Sequence, residues 1–333
     1  MKILVKTLAT PRGYVPLATL IIFLILPLFL PTYFLHIIIT IFFFAFVSQA
    51  WNIIGGYAGQ LSLGNAAFLG LGAYGSVLLT YYFNISPWIG GILIGGAVAI
   101  VLSLITGLAC FRLRGPYFAI STLAIGEVMR LLFLNQRKIT FGAEGVTVPY
   151  KGSSLLYFQF LSKVPYYYIA LALMTLSMYI TWRIEKSKLG HYLVAINQNQ
   201  DAAEAIGVNS IRAKQIALST SAFLTAIGGT FYAQYIYFID PDFVFNLDLS
   251  IEFAMIAIVG GVGTVMGPII GSFLLRPAME ITNAFLGATY MGVHLIVYGG
   301  LLIAVVMLKP EGLIGWLGGF YQSFLKLLSK KDD

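Results

Sequence analysis

The chain has 333 residues, of which 59% are hydrophobic and 10% charged, with a mean hydropathy of +0.88. A soluble domain carries about 25% charged residues and a membrane-crossing helix needs about 20 apolar ones, so an ordinary soluble protein is excluded and around ten crossings would fit. The net charge of +7 is carried at the ends of apolar segments rather than on an aromatic-interleaved stripe, which argues for membrane orientation and against nucleic acid; the single Cys110 and the scattered His36, His191 and His294 exclude an intramolecular disulfide and a metal site.

Apolar segments fall at 16–35, 37–54, 65–82, 88–110, 116–134, 166–183, 215–238, 249–262, 267–287 and 292–308. They predict an all-α integral membrane protein of about ten transmembrane helices, some broken at glycine-rich segments. Lys2, Lys6 and Arg12 ahead of the first run mimic a secretory signal, but no small-residue cleavage site follows, and a retained first helix is expected. The eighth segment is too short to span unaided and runs into Gly260, Gly261, Gly263, Gly267 and Pro268. A helix broken at this point is tolerated only where protein or a wet cavity satisfies the freed backbone.

Two hydrophilic stretches separate these runs, an outer loop at 135–165 and an inner loop at 184–214. With ten crossings, fourteen Lys and Arg residues fall inside and only Arg137, Lys138, Lys151 and Lys163 outside, where Asp240, Asp242 and Asp248 also lie. That asymmetry places both termini in the cytoplasm, giving a cytoplasmic segment 1–15, a permease domain 16–308 and a cytoplasmic tail 309–333. Within the inner loop, Asn199 or Asp201 can cap a short helix through Ala202, Ala203, Glu204 and Ala205 that Gly207 ends.

The glycines follow a pattern. Gly55 to Gly64 interrupts one pair of apolar segments and Gly263 to Pro268 another, and paired broken helices point to a translocation path as readily as to close packing. Asn52, Gly56, Gly59, Gln60, Ser62 and Asn65 cluster at the first break, where they can serve freed backbone groups or a zwitterionic ligand. The run Gly70-Leu71-Gly72-Ala73-Tyr74-Gly75 matches a dinucleotide fingerprint by letter, but no strand precedes it and no acidic residue follows at the required distance. Neither a phosphate-binding lysine loop nor a nucleophile elbow occurs, so no catalytic residue and no cofactor is expected.

Charges at membrane depth remain. Each costs about 2.5–3.5 kcal/mol on insertion scales. Glu127 with Arg130 and Arg276 with Glu280 are spaced to pair along their own helices, either as self-neutralising struts or with Glu127 facing a cavity; Glu252 is a candidate for the outer mouth.

The run Trp51-Asn52-Ile53-Ile54-Gly55-Gly56-Tyr57-Ala58-Gly59-Gln60-Leu61-Ser62-Leu63-Gly64-Asn65 resembles the signature of LivM-type permease subunits of the branched-chain amino-acid ABC transporter family, with Asn65 where the family has His. Further blocks follow in the family's order: Gly115 to Glu127, Thr140 to Gly145, Gly260 to Pro268, and Lys309-Pro310-Glu311-Gly312-Leu313. Asp201-Ala202-Ala203-Glu204-Ala205-Ile206-Gly207 is similar to the loop by which ABC importer permeases dock on their ATPase, with Asp in place of Glu.

The resemblance implies a non-enzymatic permease subunit in a prokaryotic cytoplasmic membrane, moving leucine, isoleucine and valine. It further implies a second homologous permease, two ATP-binding subunits that hydrolyse ATP, and an extracytoplasmic substrate-binding protein. Asp201, Ala202, Ala203, Glu204 and Gly207 would then couple to the ATPase, and Asn52, Gly56, Gly59, Gln60, Ser62, Asn65, Glu127 and Glu252 would line the path. A urea or short-amide permease of the same wider family is an alternative, as is an ion-coupled secondary transporter using Glu127 or Glu252.

Overall fold

The computed structural model describes residues 21–286, 293–308 and 312–315. The expected N-terminal segment 1–15, most of the tail 309–333, and the basic residues in both lie outside the described residues.

Pro31, extended at its own position, sets the start of the first long helix, α1 (Thr32–Asn52). A 3-10 turn at Leu26–Leu28, with Pro27 inside it, precedes it, so the first two apolar segments part at these prolines and not at His36. From Ile41 to Asn52 every residue of α1 is buried, as expected for a helix apolar on all faces. The helix loosens into a π-turn, Ile53–Tyr57, at Gly55 and Gly56, where the Trp51 ring covers Gly55.

Helix α2 (Asn65–Phe83) packs along most of its length on α8 (Ser210–Ile236). Backbones touch there: a Cβ on Gly72 would lie 1.9 Å from the Ala226 carbonyl oxygen, and one on Gly229 would lie 1.9 Å from that of Leu69. Only small residues allow this approach, and the fingerprint-like glycine run at 70–75 is thus a packing face. Around this centre lie α3 (Trp88–Cys110, π-helical as far as Gly95), α4 (Pro116–Asn135) and α5 (Val164–Glu185). Leu93, Ile105, Leu108, Ile120, Leu132 and Tyr179 on these three helices are exposed, the mark of faces that meet lipid or another chain.

Between α5 and α8 the inner loop folds as two helices rather than one, α6 (Lys188–Gln198) and α7 (Gln200–Ala205). The outer loop is pinned to the far end of α8 by a short antiparallel ladder of β1 (Val146–Thr147) with β2 (Phe238–Ile239), Val146 facing Ile239. Trp88 stacks on Phe158 at 4.3 Å and closes the same end.

The chain continues through α9 (Leu247–Gly261), α10 (Gly267–Leu286) and α11 (Val293–Leu308). A turn at Pro241–Val244 leads into α9, so the eighth apolar segment becomes a 21-residue stretch, Pro241–Gly261, long enough to span after all. Among the described residues seven helices are long and apolar enough to cross a membrane: Thr32–Tyr57, Asn65–Phe83, Trp88–Cys110, Pro116–Asn135, Val164–Glu185, Ser210–Ile236 and Pro241–Gly261. Seven of the about ten expected spans are thus found among the described residues. The first apolar run is described only from residue 21, α10 carries Arg276, Pro277 and Glu280, and α11 has 16 residues. This is a multi-pass, all-helical membrane architecture.

Candidate functional site

The two glycine breaks, remote in sequence, meet in one seam. Asn52 at the end of α1 accepts the Gly263 amide on its side-chain oxygen (2.8 Å) and donates from Nδ2 to the Thr264 carbonyl (2.9 Å). Thr264 Oγ1 accepts the first amide of α10, from Gly267 (3.0 Å), while donating to the Gly261 carbonyl (2.7 Å). From α6, Asn197 Nδ2 donates to the Gly56 carbonyl (3.1 Å). A Cβ at Gly56 would stand 2.5 Å from the Gly263 nitrogen, one at Gly59 2.1 Å from Asn197 Oδ1, and one at Gly260 1.7 Å from the Gly267 carbonyl oxygen.

Next to the seam, Ser62 Oγ donates to Asn65 Oδ1 (2.7 Å) and Asn65 Nδ2 to Ser221 Oγ of α8 (3.1 Å). The Ala66 amide bonds Ser250 Oγ of α9 (2.8 Å), and Trp51 Nε1 bonds the Ser62 carbonyl (2.7 Å). The structure thus brings together Asn52, Gly56, Gly59, Ser62, Asn65, Gly260, Gly261, Gly263 and Gly267, with Pro268 in the first turn of α10. Gln60 lies beside them, half-buried, its Nε2 on the Ala58 carbonyl at 3.4 Å. Asn52, Ser62 and Asn65 are buried and bonded to protein, as a joint between helices requires.

Glu127 and Glu252 bond to separate arginines and not to the seam residues. Glu127 is half-exposed on α4 and pairs with Arg130 (Nε to Oε2, 2.9 Å), which also reaches Asp242. Glu252 enters the sequence-expected pair of Arg276 and Glu280 to make a trio, with Arg276 Nη1 on Glu252 at 2.6 Å and Nη2 on Glu280 at 2.8 Å. The side chains are 11%, 14% and 23% exposed for Arg276, Glu252 and Glu280, so these charges are largely out of solvent. The Arg276 guanidinium also rests on the Phe44 ring, 3.8 Å from its centre, worth about 2 kcal/mol where water is excluded.

The trio lines a cavity of about 470 Å³ between α1, α8, α9 and α10. Phe43, Phe44, Phe231 and Tyr232 form an aromatic wall, while His36, bonded to Tyr235, and Asp248 add polar groups. Sequence reasoning named Glu252 but missed the wall. Its signal is helical spacing: His36, Thr40, Phe43 and Phe44 share one face of α1, and Tyr232, Tyr235 and Ile236 one face of α8.

At the opposite end of α8, α7 is capped by Asn199 Oδ1 on the Ala202 amide (3.0 Å) and closed by Gly207, whose φ of +91° suits glycine. Asp201 and Arg114, from the turn between α3 and α4, form a two-pronged pair at 2.7 and 3.0 Å. Glu204 accepts from Ser210 and from Gln200 (2.8 Å), and the buried Lys214 of α8 donates to Gln200 at 2.7 Å. These partners hold the carboxyls of Asp201 and Glu204 below their ordinary values, Asp201 by the Arg114 hydrogen bonds and Glu204 by Ser210 and Gln200. With the folded value depressed, the contribution is present above the unfolded carboxylate range and lost as pH falls through the folded value, so the ties hold at neutral pH. Ala203 is buried inside the chain, whereas Ala202, Ala205 and Ile206 face outward, Ile206 being 79% exposed.

A family model described as branched-chain amino acid transport system / permease component matches residues 33–306, taking in the seam, the cavity and α7. The chain belongs to that family. It is 28% identical over 285 residues to the high-affinity branched-chain amino acid transport system permease protein LivM of Escherichia coli (strain K12), covering 79% of this chain and 65% of that protein. The Salmonella typhimurium LivM is 27% identical over 292 residues with the same coverage. The high-affinity branched-chain amino acid transport system permease protein LivH of Escherichia coli (strain K12) is 28% identical over 145 residues, 44% of each chain. The chain thus spans 65% of the length of the LivM proteins it matches. No solved structure matches.

Proposed function

We propose that this chain is a permease subunit of an ATP-driven importer that carries branched-chain amino acids across a prokaryotic cytoplasmic membrane. It pairs with a second homologous permease, and the two sit on two ATP-binding subunits and receive substrate from an extracytoplasmic binding protein. In this arrangement α7 lies on the cytoplasmic side with both termini, and the loop at 135–165 faces out, in keeping with the uneven spread of Lys and Arg. Residues 1–15, 16–308 and 309–333 are then the cytoplasmic segment, the permease domain and the cytoplasmic tail.

The observation that carries this reading is α7: a capped, single-turn helix in a membrane protein, with Ala202, Ala205 and Ile206 exposed and its rear fixed to the membrane helices through Asp201–Arg114 and Gln200–Lys214. An exposed small and apolar tip on a rigidly tied base suits a docking contact with another protein. ATP closure of the ATPase pair would pull on that tip, and the ties would pass the displacement to α8, which lines the cavity at its other end. Nucleotide can drive this only by binding one conformational state more tightly than the other.

The test is Ile206→Asp. The variant chain should remain folded and monodisperse in detergent, while ATP-dependent leucine uptake in vesicles falls to background and the ATPase subunits no longer co-purify. Normal uptake by this variant would remove α7 from the mechanism.

A further inference from the structure

We propose that the Arg276, Glu252 and Glu280 trio is where the zwitterionic head of an α-amino acid is held in transit, with its side chain against the Phe43, Phe44, Phe231 and Tyr232 wall. The inference rests on the amino-acid permease reading above and adds the site and its chemistry.

The charge count comes first. Arg276 is gripped by two carboxylates, as Arg130 is, but here all three side chains are largely out of solvent and line a cavity that Asp248 shares. The trio therefore holds one carboxylate more than it has guanidinium groups, and that carboxylate can receive an ammonium. An amino acid brings one together with its own carboxylate. As the substrate carboxylate takes one prong of the Arg276 fork, the glutamate it displaces is free to receive the ammonium. Two ion pairs become three, each charge of the ligand gains a partner, and the net charge of the site is unchanged. The planar fork of arginine suits this exchange, since it binds two carboxylate groups side by side without moving.

The second observation is shape. A cavity of about 470 Å³ falls within the ~300–1,000 Å³ typical of small-molecule sites. Its aromatic wall adjoins the trio directly, with the Phe44 ring stacked under the guanidinium. A branched aliphatic side chain is well served by such a wall, whereas an acidic one would be buried there without a partner. Leucine therefore engages both the charges and the aromatic wall, while urea uses none of the paired charge.

Met279 lines the cavity beside Glu280 and reports on occupancy when changed to cysteine. In a Cys110→Ser background, Met279→Cys in the assembled transporter is labelled with a maleimide in vesicles whose ATP-dependent leucine uptake has been verified. Leucine at roughly ten times its dissociation constant should slow labelling about tenfold. Leucinamide, which lacks the carboxylate, and 4-methylpentanoate, which lacks the ammonium, should give no protection. Adding Arg276→Gln should abolish protection by leucine while labelling continues, and the measurement on Met279→Cys alone does not depend on that variant folding. Equal labelling with and without leucine in a transporter that still imports it would overturn the site and leave the proposed function standing. Protection by either half-molecule would overturn the two-charge mechanism, and a complex that neither imports leucine nor is protected by it would overturn both.

Discussion

The glycine seam and the charged cavity are built on the same helices, α1, α9 and α10, by opposite means. In the seam backbone meets backbone: Gly56 touches Gly263, Gly260 touches Gly267, and Asn52 ties up the one amide and one carbonyl that face it. In the cavity, large side chains hold the helices apart around three charges that water scarcely reaches. One region is closed by removing side chains and the other kept open by adding them. A glycine break in a membrane sequence therefore marks first where helices approach, and the place where a ligand fits is marked by charge and aromatic side chains on helix faces.

The largest expected effect comes from opening the seam. Gly260→Leu would drive a side chain into the Gly267 carbonyl, 1.7 Å from where its Cβ must lie, and no rotamer relieves a backbone clash. The two helices must separate, taking Asn52 off Gly263 and Thr264. Size-exclusion chromatography of the detergent-solubilised protein should show loss of the monodisperse peak. A folded Gly260→Leu protein would mean that the seam is a loose contact and the comparison is misdrawn.

The cavity should respond more mildly and in a way that reveals its charges. Arg276→Leu leaves Glu252 and Glu280 facing each other without their cation, a change that costs about 3–5 kcal/mol when a buried pair loses one partner. Combining Arg276→Met with Glu252→Gln and Glu280→Gln removes the stranded charge, and most of the lost thermal stability should return in a melting assay. Leucine uptake should not return. If the triple variant transports, the trio is a strut and nothing more.

Much of this was legible in the sequence. Hydropathy alone outlined the helices, and the motif at 201–207 predicted a capped helix that the structure shows at Gln200–Ala205. The seam was visible only as two separate glycine runs, because nothing local records that Asn52 reaches across 211 positions to Gly263. The trio was half visible: Arg276 and Glu280 pair at helical spacing, but Glu252 joins them through the packing of α9 on α10. Composition favours the whole alanine run equally, while the fold buries Ala203 and exposes Ala202. Helix boundaries were less legible at Pro31 and at 241–244, where a proline and a short turn set limits that hydropathy alone does not show.

The smallest effect tests how far the seam extends. Gly126 sits inside α4, near the end of the block Gly115 to Glu127, yet a Cβ there would lie 3.6 Å from the Gly64 Cα, ordinary van der Waals contact, and its backbone is helical. Packing therefore does not require glycine at this position, and alanine should gain about 0.5–1 kcal/mol by restricting the unfolded chain. Gly126→Ala should raise the melting temperature slightly and leave leucine uptake unchanged. Its neighbour across the contact differs: Gly64 faces the Thr122 carbonyl oxygen at 2.5 Å, so Gly64→Ala should destabilise where Gly126→Ala does not. If both substitutions destabilise, α4 packs into the seam more tightly than a 3.6 Å approach allows for; if only Gly64→Ala does, the seam ends at Gly64 and α4 is part of the outer ring.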